Sequence, residues 1–187
     1  MKPILTLIFT FLISHSMMGQ KNDYYYNIPE APKEYTAANV ASRMVDGLGF
    51  RYYWATYGLT DKDLAFKPNS QARTSLQTID HILGLSQVIV NSTLKVANGG
   101  KQPSMTFAEK RTKTLKNLEK ASKILRSSSD ISEYKIIFGK TEFPFWNQIN
   151  GPISDALWHV GQVVSFRRSS GNPFPKGVSV LRGTKRD

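Results

Sequence analysis

The sequence predicts an all-α protein, a four-helix bundle, on three observations. Four long segments space their apolar residues three and four apart, the period of helices with a buried stripe. Their ends carry helix punctuation, with Thr74 or Ser75 opening the second segment. Gly58, Asn98-Gly99-Gly100 and Gly171-Asn172-Pro173 close the first, second and fourth. No internal repeat or low-complexity segment competes with this pattern. Four such helices bury their stripes most simply against one another.

Taken in order, the first helix is expected from about Thr36 to Tyr57. Thr60-Asp61 then suits the cap of a short turn, and Pro68-Asn69-Ser70 a loop. The second helix is expected to continue to about Ala97. Leu76, Ile79, Ile82, Leu83, Leu85, Ile89 and Val90 share one arc of it, and Gln77, Asp80, Gly84, Gln87 and Asn91 the other. His81 falls at the border between the two arcs. A third helix from about Thr106 to Ser128 turns Phe107, Leu115, Leu118 and Leu125 inward and Lys113, Lys116, Lys120 and Lys123 outward. Residues 130–150 are ambiguous: Glu133 to Lys140 reads as extended or as a loose turn, and Pro144 suits the start of a helix that Gly151-Pro152 kinks or restarts. The last helix reads GPISDALWHVGQVVSFRRSSG from Gly151 to Gly171. With Ile153, Leu157, Val160 and Val164 opposite its polar residues it is apolar nearly all round, and it is expected to be central. Val178 to Leu181 suits a short extended piece without a sheet.

Residues 1–19 have the pattern of a signal peptide. Lys2 provides the positive start, Ile4 to Ile13 an apolar run too short to span a bilayer, and Ser16-Met17-Met18-Gly19 a small-residue exit. An uncleaved anchor is the alternative. The expectation is an exported protein, periplasmic or secreted, without stable membrane insertion after cleavage. Residues 20–35 form an extended lead-in, 36–172 the bundle and 173–187 a basic tail. The chain contains no Cys, so neither a disulfide nor a thiol nucleophile is available. Its formal charge of +11 admits an anionic partner. The lysines of the third helix are spread along one face as on a solvated helix back, so no nucleic-acid partner is expected.

On the last helix Asp155, His159 and Gln162 fall on one face. An Asp–His pair one turn apart makes either a hydrogen bond or two ligands to a metal ion, and spacing alone does not decide between them. Once His15 leaves with the signal segment, His81 is the one imidazole left to supply a third ligand. Two imidazoles and a carboxylate suit a divalent ion such as Zn, Ni, Mn or Fe. Gln162 is a candidate for supporting a ligand or holding a water. Trp158, with Trp146, Phe143 and Phe145, is a candidate pocket wall, with core packing the alternative. Arg167 and Arg168 could draw an anionic substrate or simply complement the helix dipole.

Three motifs resemble the DinB-like family of metal-binding four-helix proteins. Leu59 to Pro68, read LTDKDLAFKP, is similar to that family's stretch after its first helix, and Ser75 to Leu83 to its second-helix histidine segment. His159-Val160-Gly161-Gln162, followed by Arg167 and Gly171, resembles its fourth-helix pattern. The resemblance spans most of residues 36–172. It implies an up-down-down-up bundle and a divalent metal held by His81, His159 and a third histidine whose place is taken here by Asp155. It also implies a metal-dependent transferase or hydrolase acting on a small molecule, with room for a homodimer. Export separates the chain from cytosolic thiols, so hydrolysis fits its compartment better than thiol transfer. The rival expectation is a non-catalytic exported bundle, a binding or interaction module whose metal site has degenerated.

Overall fold

The computed structural model describes residues 23–100 and 103–186; the expected signal peptide, residues 1–19, lies outside the described residues. Four main helices pack in the ring α1–α4–α3–α6, where α1 is Ala37–Thr56, α3 Ser75–Thr93, α4 Phe107–Arg126 and α6 Ser154–Ser170. Cross-helix bonds give their directions. Ser42 meets Ser122 and Arg111 meets Thr56, so α1 and α4 run antiparallel. Lys110 meets Asp80 and Asn117 meets Ser86, so α4 runs parallel to α3. Arg167 near the end of α6 meets the last carbonyls of α1, so these two also run together. The bundle is up-down-down-up, as the resemblance implied.

Side-chain caps place the helix starts where the sequence suggested. Thr36 caps α1, and Thr60, Thr74 and Thr106 each form a reciprocal capping box with the residue three positions on. The Thr60 box opens a short α2, Asp61–Ala65. Helix α3 stops four residues before the expected Ala97. Lys95 takes a left-handed φ of 57°, and the Val96 amide bonds back to the Asn91 carbonyl. The ambiguous segment contains a hairpin of β1, Ile136–Phe138, and β2, Thr141–Phe143, turned at Gly139. Pro144 then caps α5, Phe145–Gln148. Pro152 lacks the amide proton a regular helix needs, and a π-helical turn, Ile149–Ile153, absorbs it before α6 begins.

The central helix is α1, not α6 as the sequence suggested. One stripe of α1, including Val45, Leu48, Tyr52 and Ala55, is buried with Phe50, Tyr53 and Trp54 from its other side. The lead-in covers that second side: Tyr25 is 2% exposed, and the Trp54 indole donates to the Tyr26 carbonyl. Helix α6 buries Ala156, Val160, Val163 and Arg167 but leaves Leu157 and Trp158 at the surface. The tail folds back as a second small hairpin, β3 (Val178–Ser179) with β4 (Thr184–Lys185), where no sheet was expected. Its Gly183 carbonyl accepts from the Ile28 amide at 2.7 Å, fastening tail to lead-in. No helix among the described residues is long and apolar enough to cross a membrane.

Two buried carboxylates respond oppositely to pH. Burial pushes the Asp46 carboxyl upward, and the bonds from Ser122 and Arg126 offset this only in part. Burial also raises Asp63, but bonds from Asn172, Ser170 and the Thr60 amide outweigh it and hold that carboxyl well below the usual range. A depressed carboxylate stabilises the fold above its unfolded pKa of about 3.9, and the contribution fades as pH falls towards the folded value. Urea titrations of wild type and Asp63→Asn should therefore show the full stability gap above about pH 5 and a shrinking one below about pH 4. A gap independent of pH would contradict this account.

Candidate metal centre

Two helices meet to make the site. His81 lies near the start of α3, at the border of its apolar arc, where it reaches towards α6. The π-helical turn at Pro152 feeds directly into α6, so Asp155 falls in the first turn and His159 one turn later on the same face. Asp155 Oδ2 lies 3.1 Å from His81 Nε2, and Oδ1 lies 3.3 Å from His159 Nε2. The imidazoles meet edge to face, with centroids 4.6 Å apart. One ligand atom from each of the three residues falls within 4.8 Å of the others.

The donor set fits a divalent ion. Bonds of about 2.0–2.1 Å to tetrahedral ligands put donor atoms roughly 3.3 Å apart. Reaching that from the present spread takes inward movement of about 1.5 Å, within the range of χ rotation for partly buried side chains. The tautomer of His159 adds a second argument. Its Nδ1 lies 2.8 Å from Gln162 Oε1, a contact that suits the tautomer with the ring proton on Nδ1. The Nε2 lone pair then faces an Asp155 oxygen across 3.3 Å. His81 and Asp155 are about one-third exposed and His159 is 14% exposed, so the cluster opens to solvent on one side. An ion held there keeps positions for water or substrate.

The surrounding residues divide sharply. Gln162 stands against His159 as a supporting contact. The Trp158 indole is 72% exposed and lies nearly parallel to the His159 ring at 6.4 Å, so it is a surface platform beside the cluster rather than core. Phe145 is core, whereas Trp146 is 74% exposed and Phe143 also reaches solvent. Arg167 points away from the cluster and is 2% exposed. Its Nη1 donates to the Trp54 and Ala55 carbonyls, Nε to the Asn172 carbonyl and Nη2 to Asn172 Oδ1. It is a fastener between α1 and the end of α6, and burial lowers its pKa against the raising effect of Asp63. Spacing gave no sign of this role, although Asn172 following the Gly171 cap marked the spot.

Among the described residues neither histidine has a hydroxyl partner, so the site lacks a nucleophile–base pair of the serine-hydrolase kind. Comparison with protein-family models, with curated proteins and with solved structures finds no match for this chain. What stands is a helical bundle with a His-His-Asp cluster able to hold a metal ion.

Proposed function

We propose that this chain is an exported, DinB-like protein that holds a divalent metal ion through His81, Asp155 and His159 and hydrolyses a small-molecule substrate. The observation that carries the reading is the convergence of three metal-type donors from two helices at a solvent-facing spot. Order of motifs supports the family reading, and the N-terminal pattern of residues 1–19 supports export. A metal in such an open site activates water at neutral pH and polarises a carbonyl or phosphoryl oxygen. Gln162 holds the His159 ring with Nε2 turned to the cluster. Asp155 bridges the two imidazoles and carries the negative charge that favours a cation. The exposed Trp158 face offers a flat substrate group a stacking surface beside the ion position.

One observation favours a second reading, a metal-holding module without catalysis: no other His, Asp or Glu among the described residues joins the cluster as a general base.

Elemental analysis and thermal-shift titration with Zn, Ni, Mn and Fe(II) test the site. One ion per chain is expected, and at a hundredfold excess over Kd it should add about 2.7 kcal/mol of stability. His159→Ala or Asp155→Ala should abolish that shift, and Gln162→Ala should weaken binding by about 10–100-fold. Absence of any metal-dependent shift in the wild type rules the site out. Stabilisation by metal together with silence across ester, amide and phosphoester substrates would select the second reading.

A further inference from the structure

The face of α6 opposite the cluster carries a different chemistry. At about 100° per residue, Leu157, Gly161, Val164 and Arg168 lie across the helix from Asp155, His159 and Gln162. They floor a groove of about 520 Å³, walled by α1 at Arg51 and by the C-terminal segment at Phe174 and Val178. That volume falls within the range of about 300–1,000 Å³ usual for small-molecule sites. Leu157 remains 42% exposed there, a large apolar side chain that the described residues cover only in part. Gly161 leaves space rather than filling it: beyond its chain neighbours and its own turn of helix backbone, nothing lies within 4 Å of where a Cβ would stand.

The charges in this groove are of one sign. Arg51 donates to the Gly47 carbonyl of its own helix at 3.0 Å, and neither Arg51 nor Arg168 forms an ion pair among the described residues. Among the described residues no acidic side chain lines the groove. Two guanidinium groups without carboxylate partners beside an uncovered apolar trough are complementary to a molecule with an anionic head and an apolar body. Walls on the α1 and tail sides suit one chain lying along the helix better than a flat surface.

We propose that this groove binds a single-chain anionic amphiphile of the fatty-carboxylate class, its head on Arg51 and Arg168 and its alkyl chain along Leu157, Val164, Phe174 and Val178. The site is independent of the metal cluster, which occupies the other face of α6.

Dodecanoate, kept below its micelle concentration, is the probe, titrated calorimetrically into the purified protein. Saturable binding at one site is expected, with clear preference over dodecyltrimethylammonium. Gly161→Trp fills the trough at an ordinary helical position, and it should weaken binding at least tenfold with an unchanged circular dichroism spectrum. The double variant Arg51→Gln, Arg168→Gln removes both guanidinium charges and should erase the preference for the anion. His159→Ala should leave dodecanoate binding intact, which separates this site from the metal reading. The proposal is overturned by absence of saturable binding, or by equal affinity for the two amphiphiles. Full retention of binding in folded Gly161→Trp overturns it too. So does association with phosphatidylglycerol vesicles without binding of monomeric dodecanoate, which would make the face a membrane surface instead.

Discussion

Arg167→Ala is expected to destabilise the protein by about 3–5 kcal/mol, the largest effect of any single change considered. The side chain is buried and makes four hydrogen bonds, three to main-chain carbonyls and one to Asn172 Oδ1. Removing it leaves those acceptors without a donor in a place water reaches poorly, at about 1–3 kcal/mol for each that stays unsatisfied. The loss spreads further, because Asn172 also donates to the Gly58 carbonyl and to Asp63 Oδ2. Thermal melting should fall by roughly 10 °C or more for a chain of this size. Arg167→Lys keeps the charge but not the planar fork, and should recover only part of the loss. Metal affinity measured on the folded fraction should change less than twofold. A stable Arg167→Ala protein with impaired ligand binding would instead place this arginine in a binding site.

Gly49→Ala should cost about 2–3 kcal/mol, against the gain of about 1 kcal/mol that alanine normally brings to a helix interior. A Cβ at this position would stand 2.3 Å from Cζ of Tyr25, and two further ring carbons lie within 2.6 Å. The ring cannot retreat easily, since it is 2% exposed and its hydroxyl faces Asp46 Oδ1 at 3.4 Å. The methyl group therefore forces Tyr25 out of its socket or strains α1. A double-mutant cycle separates these effects from a general helix effect. Tyr25→Ala alone should cost about 3–4 kcal/mol, and adding Gly49→Ala to it should cost almost nothing more, or even help. Additive losses in urea denaturation would show that the two residues do not share one socket.

Much of the fold was legible because its signals are local. Thr36, Thr74 and Thr106 announce helix starts through their own side chains, and the apolar stripes of α3 and α4 are regular enough to read by period. The end of α3 was not, because Leu94 to Ala97 could continue a helix and only the turn of Lys95 stops it. Residues 136–143 are too short and too mixed for period to distinguish strand from helix, and their pairing across Gly139 decided the matter. The position of α6 was misjudged for a related reason. Apolar residues all round a helix look alike whether a second neighbour covers them or a groove leaves them open, as at Leu157. The convergence of His81 with Asp155 and His159 was open to expectation because the chain has so few histidines. Gln162's place beside one of them followed from the same face. The role of Arg167 was hidden, since its partners are carbonyls of Trp54 and Ala55, far away in sequence and silent in composition.

The up-down-down-up ring has a consequence for how the chain comes together. Helix α1 packs chiefly against α4 and α6, and its successor among the long helices, α3, is not a principal neighbour. The first half of the chain therefore cannot close into a self-sufficient helical hairpin. In a protein that emerges N-terminus first, Val45, Leu48, Tyr52 and Ala55 have no lasting cover until Phe107–Arg126 has been made. Long-range pairing of this kind slows folding relative to bundles whose consecutive helices pack together. During that interval the apolar stripe of α1 stays exposed, the condition under which partly made chains aggregate.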